Sequence, residues 1–99
     1  TSKTFFELKK GNCYCWAAAV MYAARQLGYQ AYVVAGWESN PENVHAWTMA
    51  DWPDGETYLF DAELEYAYWY MFKDKPQIDM FKASTEDGLL YNGFAYYFP

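Results

Sequence analysis

Apolar residues between positions 13 and 27 recur at helical spacing. Cys13, Ala17, Val20, Ala24 and Leu27 form one stripe, and Cys15, Ala19 and Tyr22 form a second apolar side. A helix apolar on two sides is expected to be central, with neighbours packed on both. Its Ala-rich interior suits helix propensity and lets a sheet approach closely. Asn12 fits an N-cap, Gly28 fits the residue that ends a helix, and Arg25 suits the negative end of the dipole. The pattern therefore predicts a helix over 13–27 with Cys13 in its first turn.

Beyond Gly28 the period changes. Residues 31–37 are a β-branched and aromatic run that ends near Gly36, and 44–50 and 57–61 read as two more strands. A polar loop around Pro41 separates the first two. Trp52-Pro53-Asp54-Gly55 is a turn that folds the others into an antiparallel hairpin. If that turn centres on Pro53, His45 lies opposite Asp61. If it centres between Asp54 and Gly55, His45 faces residue 64 and Asp61 is offset by three. Only the first register puts both side chains on one face. Residues 63–72 open with helix formers yet alternate in places, so they read as either element, closed by Pro76. A short strand is expected over 77–82, a turn at Glu86-Asp87-Gly88 and a terminal strand over 94–98. With no repeat or linker, 1–99 reads as one domain, and a start at Thr1 points to a piece of a longer protein. The fold class is α+β, a central helix with a cysteine at its N-terminus packed on an antiparallel sheet.

Composition narrows the partners. Seven basic against thirteen acidic residues leave a net charge of −6. That balance argues against nucleic acid and against anionic membrane surfaces. No apolar run approaches the ~20 residues of a membrane-spanning helix, so no membrane insertion is expected. Aromatic residues make up 23% of the chain. The late ones (Tyr66, Tyr68, Trp69, Tyr70, Phe72, Tyr91, Phe94, Tyr96, Tyr97, Phe98) are expected to close the core, with a sugar-stacking platform as the alternative. Glu63, Glu65, Asp74, Asp79, Glu86 and Asp87 read as a solvated face.

Three residues could carry chemistry. In the first turn of a helix, free amides and the positive dipole end would stabilise a Cys13 thiolate, the nucleophilic form. His45, the only histidine, is the group suited to move a proton near neutral pH. Asp61, on the adjoining strand, could fix the imidazole tautomer. Each has a plain structural alternative: a core cysteine, a hydrogen-bonded histidine, a helix cap. Together, in that order, they describe thiol acyl-transfer chemistry. A zinc site from Cys13, Cys15 and His45 is the competing use.

The stretches Gly11-Asn12-Cys13-Tyr14-Cys15-Trp16-Ala17, Arg25-Gln26-Leu27-Gly28, Val33-Val34-Ala35-Gly36, His45-Ala46-Trp47 and Tyr58-Leu59-Phe60-Asp61 follow one another at compatible spacing. In this the chain resembles the transglutaminase-like superfamily, a branch of the papain-like cysteine fold, over residues 11–61. The resemblance implies Cys13 as nucleophile, His45 as general base and acid, and Asp61 as the orienting carboxylate. Cys15 matches no catalytic position and lies roughly 200° around the helix from Cys13. The backbone amide of Cys13 is the candidate oxyanion donor. A second donor in this fold comes from upstream, where residues 1–12 hold neither Trp nor Gln. Trp16, Trp37 and Trp47 accompany the site as substrate-groove candidates that shield it from water.

The expected activity is thiol-dependent acyl transfer on peptide or glutamine amide bonds. Hydrolysis, as in a cysteine protease or deamidase, is favoured because no site for a second amine is legible. The alternatives are an inert binding or scaffold module of a larger surface protein, and a protein-crosslinking transglutaminase. This reading uses no cofactor and no metal. Its partner is a peptide or protein substrate, and its setting is the exterior or surface of a bacterial cell.

Overall fold

A 25-residue helix, α1 (Ser2–Gln26), opens the computed structural model, which describes residues 2–70, 78–85 and 90–99 and, within α1, the side chains from Cys13 onward. The helix starts well before the expected N-cap, so Cys13 lies in its interior and Asn12 is not a cap. The residues ahead of it include Glu7, Leu8, Lys9 and Lys10, all good helix formers. The helix therefore continues through Gly11, whose cost in a helix interior is about 1 kcal/mol. The C-terminus is where the pattern put it. Gly28 takes φ +92°, its N–H bonds the Arg25 carbonyl at 3.0 Å, and the Tyr29 N–H bonds the Ala24 carbonyl at 3.1 Å. This is a Schellman ending, which a glycine enters without a Cβ clash. Among the described side chains of α1, one side is buried. Cys13 and Ala17 are inside, whereas Cys15, Ala19, Tyr22 and Leu27 are exposed. The helix covers one face of a sheet instead of running between two layers.

That sheet comprises β1 (Gln30–Glu38), β2 (Val44–Asp51), β3 (Thr57–Phe60), β4 (Leu90–Tyr91) and β5 (Phe94–Tyr97), with a second helix, α2 (Ala62–Tyr70), following β3. The strand order is β3-β2-β1-β5-β4, and every pair is antiparallel. The fold is α+β, as expected. Residues 45–50 of β2 are all buried because both faces of that strand are covered. On one face Ala31, Ala50 and Phe60 pack under Val20, Met21 and Ala24 of α1. On the other, Trp47, Met49 and Leu59 pack with Leu64 of α2, Met80 and Tyr96.

The late chain differs from the pattern. Residues 62–70 of the ambiguous segment are helical. Residues 78–82 form no strand, and Ala83 instead exchanges two 2.8 Å hydrogen bonds with Leu59. The terminal strand pairs through Asn92-Gly93 with β4, which the pattern did not separate out. Asp74, Pro76 and the turn at Glu86-Asp87-Gly88 lie outside the described residues. Among the described residues no helix is long and apolar enough to cross a membrane.

Candidate active site

The hairpin between β2 and β3 sets the site. Its loop has three residues. The Gly55 N–H bonds the Trp52 carbonyl at 3.0 Å and the Trp52 N–H bonds the Glu56 carbonyl at 2.9 Å. Gly55 supplies the left-handed residue this loop needs, at φ +86°. The ladder then runs Asp51↔Thr57 to Thr48↔Phe60. Neither expected register is formed. The same progression puts Asp61 across from Trp47 and diagonal to His45, which keeps the two polar residues on one face.

Asp61 is held at every polar atom. Its Oδ1 accepts the Leu64 N–H at 3.1 Å, the N-cap bond of α2. Its own N–H bonds the Met80 carbonyl at 2.9 Å. Its Oδ2 takes His45 Nε2 at 2.7 Å and the Tyr96 hydroxyl at 2.6 Å. With 2% of its surface exposed, the carboxylate needs such partners to stay charged.

His45 is 6% exposed. Burial by itself pulls its pKa down. Hydrogen bonds to Asp61 and to Cys13, with the charges of both, overcome this and push it up to about 10. These partners favour the imidazolium form at neutral pH. Since Nε2 is engaged by Asp61, Nδ1 is the nitrogen left for the thiol. Glu63 adds a carboxylate 3.9 Å from Nδ1, beyond hydrogen-bond reach.

Cys13 comes to this ring from α1, 2% exposed. One turn on, the Ala17 carbonyl accepts the Thr48 Oγ1 hydroxyl at 2.6 Å. This bond pins α1 to β2 three residues from His45. Because α1 is continuous, the Cys13 amide belongs to the helix ladder and the dipole end lies far from the thiol. Neither the expected N-terminal activation nor the Cys13 amide as oxyanion donor is present in this conformation. Activation of the thiol falls to His45.

The structure thus brings Cys13, His45 and Asp61 together and separates the three tryptophans. Trp47 is fully buried, its ring 6.1 Å from that of His45 and edge-on to Tyr96 and Phe98. It is a floor under the histidine, not a groove wall. Trp37 pairs with Val44, so strand alternation sends it to the face opposite His45. Trp16 stands at the surface one turn from Cys13, its ring 5.2 Å from that of Tyr66, and remains a candidate groove residue.

Three contributors escaped the sequence reading. In the sequence Tyr96 reads as core, Glu63 as solvated face, and Thr48 carries no signal of its own. A buried phenol must find an acceptor, which is the one signal that singles out Tyr96. Glu65 likewise leaves the solvated face, accepting the Met80 N–H at 2.9 Å. As for metals, Cys15 is exposed while Cys13 is buried, so the zinc set is not assembled. The cluster among the described residues that could hold a cation is His45, Asp61 and Glu63, with ligand atoms within 4.8 Å of one another. A cation there would have to displace the proton between His45 and Asp61.

No curated protein and no solved structure matches the chain. The family model of the transglutaminase-like superfamily matches residues 1–71, which contain all three converging residues. With that match and an α+β core of the expected kind, the chain belongs to the transglutaminase-like superfamily.

Proposed function

We propose that the protein performs thiol-dependent acyl transfer on peptide or glutamine amide bonds, with water as the acceptor. The observation that carries this reading is the buried His45 ring, its Nε2 2.7 Å from Asp61 Oδ2 and its other side engaged with Cys13. A thiol beside a neutral imidazole passes its proton to the ring, and the resulting thiolate–imidazolium pair, favoured here by Asp61, makes the sulfur the nucleophile. The Cys13 sulfur would attack the amide carbonyl carbon to form a tetrahedral adduct. His45 would then give its proton to the leaving amine or ammonia, and a thioester would remain. Water, deprotonated by the now neutral His45, would attack the thioester, release the acid and restore the thiol. Asp61 keeps one tautomer and orientation throughout.

One observation favours a second reading, an inert module that binds its partner without turnover. In a continuous α1 the Cys13 amide is bonded within the helix, so it cannot serve a developing oxyanion. The test is ammonia release and peptide cleavage from glutamine-containing peptides, with Cys13→Ala as control. Release that depends on Cys13 supports the enzyme. Exchange of ammonia for an added alkylamine would assign crosslinking instead of hydrolysis. No turnover with any acceptor, alongside retained peptide binding, would assign the inert module.

A further inference from the structure

We propose that Tyr96 is a positioning residue for this site, whose phenol O–H, donated into Asp61 Oδ2 beside His45 Nε2, keeps the carboxylate from holding the imidazolium proton too tightly. The inference rests on the Cys13–His45–Asp61 reading above and adds a fourth residue to it.

The two donors share one oxygen, His45 Nε2 at 2.7 Å and the Tyr96 hydroxyl at 2.6 Å. A hydrogen bond to the charged form of an acid stabilises that form and lowers its proton affinity. Asp61 therefore draws less strongly on the histidine than a carboxylate with the imidazole alone. The need for restraint is clear from His45 itself. A general acid works best with a pKa near the working pH, and His45 already stands near 10. Any further stabilisation of the imidazolium would make it a poorer donor to the leaving amine. Tyr96 can play this part at every accessible pH, because burial first and the charge of Asp61 second push its phenol far above its usual range. It stays a neutral donor.

Tyr96 does not hold Asp61 in place by itself. The Asp61 Oδ1 bond to the Leu64 amide and the backbone bond to Met80 remain without it. Nor does the hydroxyl hold the Tyr96 ring, which is set by the pairing with Glu38 and by edge-on packing on Trp47 and Tyr91. Tyr96→Phe should thus leave the frame intact and remove one proton donor. The other groups bearing on the ring are Cys13 from α1 and Glu63 from α2, while Glu38 from β1 acts on the phenol.

Because His45 is the only histidine, nitrogen-15 NMR of the labelled full chain reads its titration without any assay of turnover. The comparison is wild type, Tyr96→Phe, and 3-fluorotyrosine placed at position 96, a stronger donor of nearly the same shape. The expected result is a midpoint raised by roughly half a pH unit in Tyr96→Phe and lowered in the fluorotyrosine protein. The alkaline limb of turnover should follow, with kcat reduced several-fold and KM little changed. A midpoint unmoved in both proteins, or moved in the opposite sense, would reduce Tyr96 to a core residue. If Tyr96→Phe fails to fold, the fluorotyrosine protein decides. A wild-type midpoint near 6.5 would count against the ion pair itself, and the sign of the shift would still decide Tyr96.

Discussion

Asp61 is where chemistry and architecture share a side chain. One carboxylate oxygen orients His45 and the other caps α2. The two duties separate by substitution. In Asp61→Asn the side-chain carbonyl can still cap the helix but the charge is gone, so the His45 pKa should fall back toward its ordinary value. A drop in kcat/KM of roughly 10³–10⁴-fold is expected, with the helix retained by circular dichroism. Asp61→Ala should lose the same activity and also about 1 kcal/mol of cap stability, read by urea denaturation. Equal stability in the two variants would contradict the capping role. Cys15 is exposed and outside the cluster, so Cys15→Ser should leave turnover unchanged.

At the scale of elements, one contact holds α1, which carries the nucleophile, on β2, and another sets the strand that carries Tyr96 against the strands beside His45. Thr48→Val keeps shape and burial but removes the hydroxyl bonded to the Ala17 carbonyl. It should cost about 1 kcal/mol in urea denaturation and lower turnover by loosening α1 on β2. The second contact is the close passage at Gly36, which pairs with His45. A Cβ there would meet the Tyr97 backbone carbonyl, with the Trp47 ring 2.9 Å away. Gly36→Ala should therefore cost on the order of 1–3 kcal/mol, and it should push out the strand that carries Tyr96. The helix end at Gly28 and the first three strands were legible in the sequence because each is a local or periodic signal, and the Cys–His–Asp order is read directly along the chain. The start of α1 was not, because the weak break at Gly11-Asn12 is overridden by the helix formers before it. The hairpin register was missed because the bulge at Gly55 adds a residue that no alternation pattern counts. The helix at 62–70 was hidden by alternating aromatics, and its deciding feature is the Asp61 cap. Asn92-Gly93 between Tyr91 and Phe94 is a strong hairpin signal in the sequence, and it joins β4 to β5. The Tyr96–Asp61 bond spans 35 residues, and no spacing rule reaches that far.

The whole molecule stores its site between two cores that share β2, α1 packing on one face and α2 on the other. Burying an imidazolium there links stability to pH. The folded His45 pKa lies above the unfolded 6.5, so the folded state holds the extra proton. The resulting stabilisation is fully present below about pH 6.5 and is lost as pH climbs through about 10. Urea midpoints of the wild type should decline over that window, and His45→Gln should be less stable at neutral pH with a flatter dependence. The charge of −6 plays no part in this, since the relevant charges are the few around one ring. Everything proposed for the site depends on the state of that ring, and a pH titration of the single histidine by nitrogen-15 NMR reads it in the full wild-type chain. The expected spectrum is that of an imidazolium, both ring nitrogens protonated, persisting to about pH 10. A neutral imidazole at pH 7 to 8, titrating near the ordinary value of 6.5, would contradict the Cys13–His45–Asp61 assignment.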